Sequence, residues 1–174
     1  MKKIEEYVRS IPDFPEPGII FRDITSVLQD KDGLQLAINS MQDLVKDLDF
    51  DIVVGPESRG FIFGVPIAYN LKKSFVPVRK KGKLPCETIE KEYALEYGTA
   101  TIEIHNDAIK PGQKVVIIDD LIATGGTIEA ITELIEQLGG EVVKIAFLME
   151  LEGLEGRKKL MGYDVDAVIK YPGK

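Results

Sequence analysis

Residues 115-VVIIDDLIATGGT-127 carry four branched apolar residues straight into two adjacent aspartates and then into a loop of small residues. A short apolar run that ends in turn residues reads as a strand buried on both faces. The segment 127-TIEAITELIEQL-138 keeps positions 128, 131, 135 and 138 apolar on one face, so it reads as a helix, and Gly139 and Gly140 stop it. Successive residues leaving a strand point to opposite faces. Two carboxylates at such a place are costly unless water, hydroxyls, a cation or a ligand partners them. With few side chains in the loop, its backbone N–H groups can converge on an anion, and the incoming helix adds free donors and a favourable dipole. A plain strand-to-helix turn explains the glycines alone. It does not explain paired aspartates and two threonines on the same turn.

The loop lacks the lysine of a Walker phosphate site and the G-x-G-x-x-G of a dinucleotide site. A carboxylate pair is a poor neighbour for a bare polyphosphate and a good acceptor for vicinal hydroxyls. A sugar monophosphate meets both demands, with its phosphate in the loop and its hydroxyls on the acids.

Outward from this corner, strands and helices alternate. Apolar runs at 51–55, 74–80, 114–120, 141–150 and 165–171 read as strands, and 60–71 reads as a helix. The stripe of Leu34, Ala37, Ile38, Met41, Leu44, Val45 and Leu48 predicts a helix over 34–48. Residues 2–10 read as a short amphipathic helix. Residues 12–25 hold three prolines and a glycine among apolar residues, which predicts an irregular, partly buried segment. In 82–104 a polar stretch precedes YALEYG and TATIEI, which suit an antiparallel pair. The fold class is α/β, a mostly parallel sheet with helices on both faces. Ligands in such sheets sit beyond the carboxyl ends of the strands. Three strand ends therefore matter: 55-GPESRG-60, 79-RKKGK-83 and 119-DDLIATGG-126.

The length of 174 residues suits one domain. The net charge of −7 argues against a general nucleic-acid surface. Six of the 22 basic residues cluster in 72–83, either a solvated rim or a local anion site. One cysteine, Cys86, and one histidine, His105, exclude an intrachain disulfide and histidine-rich metal sites. The single cysteine fits a reducing cytoplasm. No membrane-spanning run and no secretory signal is expected.

The corner resembles the phosphoribosyl pyrophosphate motif of type I phosphoribosyltransferases. FPEPGIIFRDIT (14–25), VVGPESRGFIFG (53–64), VPVRKKGKLP (76–85) and YALEYGTATIEI (93–104) resemble, in order and spacing, the adenine-specific members of that family. The resemblance implies the type I phosphoribosyltransferase fold, with an N-terminal hood at about 12–25 and a mobile hairpin lid at about 82–104. It implies magnesium-dependent conversion of adenine and phosphoribosyl pyrophosphate to AMP and pyrophosphate, in a homodimer.

It also implies roles. Ala123, Thr124, Gly125, Gly126 and Thr127 would hold the 5-phosphate, and Asp119 and Asp120 would face the ribose hydroxyls, through magnesium-bound water or directly. Glu57, Ser58, Arg59, Arg79, Lys80 and Lys83 would contact pyrophosphate. Ile20, Phe21 and Arg22 would cover the base, with Leu121 beneath it. Glu96 would act as general base, and Tyr97 would belong to the lid. Without the resemblance, Phe21 reads as core, Tyr97 as strand packing and Glu96 as an exposed strand glutamate. Two other readings stand beside it: a nucleotide-sensing regulator without chemistry, and an enzyme for hypoxanthine, guanine or xanthine.

Overall fold

In the computed structural model, which describes residues 1–95 and 97–174, a seven-stranded sheet carries the molecule. Its strands are β3 (Ile52–Pro56), β4 (Ser74–Lys80), β5 (Thr88–Ala94), β6 (Thr99–His105), β7 (Lys114–Ile122), β8 (Glu141–Leu151) and β9 (Val165–Tyr171), in spatial order β5-β6-β4-β3-β7-β8-β9. Strands β4, β3, β7, β8 and β9 pair in parallel. The β5–β6 hairpin joins β4 antiparallel at one edge.

The parallel strands alternate between two cores, as residues buried on both faces must. In β7, Val116 and Ile118 enter one core, with Phe63 and Ile67 of α3 (Arg59–Asn70) and Ala37 and Met41 of α2 (Lys31–Asp43). Val115 and Ile117 enter the other, with Ile128, Ile131, Leu134 and Ile135 of α4 (Gly126–Gln137). The α4 stripe read from the sequence is the face it buries. This is the α/β arrangement, a mostly parallel sheet with helices on both faces, that the alternation of strands and helices implied.

Strand order reverses between β3 and β7. After β3 the chain crosses through α3 to β4 on one side, and β7 then returns to the other flank of β3. The carboxyl ends of two neighbouring strands thus part company and leave a crevice, the usual place for a ligand in an open parallel sheet.

Four local expectations change. Residues 2–10 form a single 3-10 turn (Ile4–Tyr7) and then strand β1 (Arg9–Pro12). A segment that short nucleates a helix poorly, and Arg9–Pro12 instead pairs antiparallel with β2 (Ile20–Asp23), Ile11 opposite Phe21. The segment expected to be irregular therefore contains a strand. The 34–48 helix begins earlier, because the Asp30 carboxylate caps it by accepting from the amides of Asp32 and Gly33. It ends at Asp43, although Val45 stays fully buried in the turns that follow. A five-residue helix, α1 (Thr25–Gln29), was not legible. No helix among the described residues is long and apolar enough to cross a membrane.

Candidate active site

The crevice opens where β7 runs out. Asp119 and Asp120 follow four buried residues, and their environments differ. Asp120 is buried, and its Oδ2 lies 2.6 Å from Nε of Arg59 in the first turn of α3. Among the described residues Asp119 forms no salt bridge; its Oδ1 accepts the amide of Asp120 at 2.8 Å. Burial and the adjacent Asp120 carboxylate push the Asp119 carboxyl well above the usual carboxylate range. One acid is thus tied to a guanidinium and the other tends to keep its proton. Gly60 makes this closeness possible: a Cβ there would stand 2.7 Å from Pro56 Cδ and 3.1 Å from Asp119 Oδ1.

After β7 the chain turns through 123–125 into α4. Gly125 has φ +83°, the left-handed region that disfavours side chains, and a Cβ on it would stand 2.6 Å from the Gly156 carbonyl oxygen. The first-turn amides of α4 lack intrahelical acceptors, as at any helix start. Across the crevice, Glu57 joins two strand ends. Its Oε1 accepts the Lys80 amide at 2.7 Å and lies 3.3 Å from Arg79 Nε.

These residues enclose one cavity of about 470 Å³. Its wall includes Glu57, Ser58, Arg59, Arg79, Lys80, Asp119, Asp120 and all of Ala123, Thr124, Gly125, Gly126 and Thr127. A second, more apolar cavity of about 920 Å³ lies under the β1–β2 pair, lined by Ile20, Phe21, Arg22 and Leu121 among others. Phe21 packs edge-on against Phe14, ring centroids 5.4 Å apart. The Arg22 side chain is partly buried: Nη1 donates to Ser10 Oγ, and its guanidinium lies 4.0 Å over the Tyr171 ring. It anchors β2 to β1 and β9. The two cavities share Arg59, Asp120 and Leu121 as a common wall.

Two of the residues singled out from the sequence do not join them. Lys83 lines neither cavity and sits in the turn after β4. Tyr97 is solvent-exposed at the hairpin tip, away from both. Glu96 lies outside the described residues. Conversely, the polar cavity takes Tyr93 and Ile102 from the hairpin, and the apolar one takes Leu151, Leu154 and Lys174 from the C-terminal segment. Tyr93 left a faint signal, as the first aromatic residue of the YALEYG stretch inside the expected lid. The C-terminal residues left none, since the stretch 151-LEGLEG-156 shows neither helix nor strand period.

The family model for the phosphoribosyl transferase domain matches residues 23–170. A relative from Lachnoclostridium phytofermentans, named adenine phosphoribosyltransferase, is 81% identical over all 174 residues, covering the whole of both chains. The chain belongs to the adenine phosphoribosyltransferase family. Members of this family are pentosyltransferases, and so is this protein. That membership sets aside the regulator without chemistry. A crystal structure of the family from Thermoanaerobacter pseudethanolicus superposes with TM-score 0.92 at 54% identity, covering 97% of this chain and 98% of that one. The Saccharomyces cerevisiae adenine phosphoribosyltransferase, solved with adenine and an imino-altritol bisphosphate, superposes with TM-score 0.88 at 38% identity, covering 95% of this chain and 96% of the other.

Proposed function

We propose that this protein makes AMP and pyrophosphate from adenine and phosphoribosyl pyrophosphate, inverting C1 of the ribose. The observation that carries this reading is the common wall: a polar cavity with a small-residue loop and an apolar cavity meet at Arg59, Asp120 and Leu121. A ribose whose 5-phosphate lies in the 123–127 loop has its hydroxyls beside Asp119 and Asp120. Its pyrophosphate then faces Glu57, Ser58, Arg59, Arg79 and Lys80, with Lys83 available only after the β4 turn moves. Adenine enters the other cavity, between Ile20–Phe21 and Leu121, with backbone groups near Arg22. C1 then stands at the common wall, leaving group on one side and N9 on the other, which is the arrangement inversion requires.

The C1–oxygen bond breaks through a transition state resembling an oxocarbenium ion. Negative charge grows on pyrophosphate, where Arg59, Arg79 and Lys80 stabilise it. Positive charge grows on the sugar, beside the acids. Asp119 and Asp120 face the ribose hydroxyls, and Asp120 also shares Arg59. N9 loses its proton to a base, the role assigned to Glu96.

Magnesium fits this site as a substrate-borne ion. Among the described residues no three His, Cys, Asp or Glu side chains gather to hold a metal. Magnesium commonly keeps several waters and binds through one or two carboxylates plus substrate phosphates. Asp119 and Asp120 would hold it through water, and when bound it would neutralise pyrophosphate charge.

Residues 1–174 act as a single domain in this proposal, with the β1–β2 region as hood and the hairpin as lid against water, a competing nucleophile. The subunit pairs as a homodimer in the cytoplasm. Ile62, Val65 and Tyr69 support the pairing, since they expose 37%, 47% and 83% of their surface along one face of α3.

Supplying phosphoribosyl pyrophosphate and magnesium with adenine, hypoxanthine, guanine or xanthine tests the reading. Adenine should be consumed and AMP formed. Turnover of guanine or xanthine with none of adenine would overturn the base assignment. Light scattering should give a dimer mass, and Tyr69→Glu should shift it toward monomer.

A further inference from the structure

Gly126, a buried residue, opens α4, and three groups face the place a side chain would take. A Cβ there would lie 3.5 Å from Lys159 Nζ, 3.7 Å from Tyr93 Cδ2 and 3.7 Å from the Ala94 carbonyl oxygen. Next to it, Thr127 Oγ1 donates to the Tyr93 hydroxyl at 3.2 Å. Lys159 comes from the C-terminal segment, and its place is firmly set. The buried Glu150 takes both Nε and Nη2 of Arg157, at 2.7 and 2.8 Å, and Arg157 Nη1 donates to the Val165 carbonyl at 2.6 Å. Gly156 packs so closely on the loop that a Cβ would stand 2.4 Å from the Ala123 carbonyl oxygen, and Leu160 is buried. Lys159 thus projects between two anchors. Its neighbour Lys158 pairs with Glu155 at 2.8 Å, whereas among the described residues Lys159 has no carboxylate within salt-bridge range.

We infer that Lys159 and Tyr93 form an outer flank of the phosphate loop and bind the donor's 5-phosphate with it. The inference rests on the reading that this loop takes the 5-phosphate. The loop offers amides and two hydroxyls but no cation, and two aspartates stand close by. A dianionic phosphate there gains from a nearby ammonium, a compact charge suited to phosphate. When phosphate enters, the Thr127 hydroxyl turns its proton to the anion. The Tyr93 phenol is then released to donate to the same group. Tyr93 lies on β5, so the hairpin is tied to the loop when the loop is filled.

Calorimetric titration with AMP, and separately with adenine, tests this. Lys159→Gln should weaken AMP binding about tenfold, the worth of one charge-assisted contact, and Lys159→Arg should recover most of it. Tyr93→Phe should weaken AMP about threefold, and Thr127→Val added to it should cost less than the two changes summed. Adenine affinity should stay at the wild-type level throughout. Wild-type AMP affinity in Lys159→Gln, or an equal loss for adenine, would overturn the flank. Gly125→Val separates the two levels. If it leaves AMP binding intact, the loop reading itself fails. If it abolishes AMP binding while Lys159→Gln changes nothing, only the flank fails.

Discussion

The two cavities each rest on one continuous stretch of chain but differ in the character of their walls. The polar one is made of strand ends and helix starts, where consecutive residues of one stretch, 119–127, supply most of a wall. The apolar one also rests on one stretch, 16–25, closed by Leu121 and by Leu151, Leu154 and Lys174 near the C-terminus. The first depends on backbone conformation and charge, so single atoms matter. The second depends on summed apolar contact, so it should degrade gradually.

The largest test of that contrast is Gly125→Val. A side chain there must bear φ +83° and displace the Gly156 carbonyl, so kcat/KM for the ribosyl donor should fall by about a thousandfold or more, roughly 4 kcal/mol. Adenine binding, measured calorimetrically, should survive. Loss of both together would show that the cavities are not separable.

Next come Arg59→Ala and Asp120→Asn. Each should lower kcat about 100- to 1,000-fold, the usual cost of losing a preorganised charge at the reacting atoms. Arg59→Ala should also lower the melting temperature, because it strands the buried Asp120 carboxylate.

Phe21→Ala sharpens the other side. Losing one aromatic wall and its edge contact with Phe14 should raise KM for adenine about tenfold and leave KM for the donor within about twofold.

The smallest effect is on stability. The Asp119 carboxyl is raised in the folded protein, so below the unfolded value of about 3.9 both states are protonated and no penalty exists. As pH rises above that value the unfolded chain ionises while the folded site keeps its proton, and stability is lost until the folded group also titrates. Asp119→Asn should therefore melt about 2–4 °C higher than wild type near neutral pH, with the advantage vanishing near pH 4. An advantage independent of pH would contradict that origin.

Much of the frame was readable beforehand. The strands 74–80 and 165–171 have the limits the apolar runs suggested, because β-branched and aromatic residues mark a strand by composition even where burial is partial. The N-terminus was misread, because the apolar residues of 2–10 suit a short helix as well as a strand, and pairing with β2 decided between them. Lys83 carried the right charge for a pyrophosphate contact, yet the turn after β4 leaves it outside the cavity. The family resemblance supplied the roles at the hood and lid, which local pattern alone would have read as core or surface.

From the sequence alone came the corner itself: the apolar run ends at Asp119, the chain must turn, and only small residues let its backbone approach an anion. Local periodicity and glycine's missing side chain carry that information within a few residues. Three things waited for the folded chain: Arg59 reaching Asp120, Gly156 seated beneath Gly125, and two cavities meeting at one wall. Each joins segments far apart along the chain, and such contacts are chosen by the packing of the whole sheet and its two helical layers.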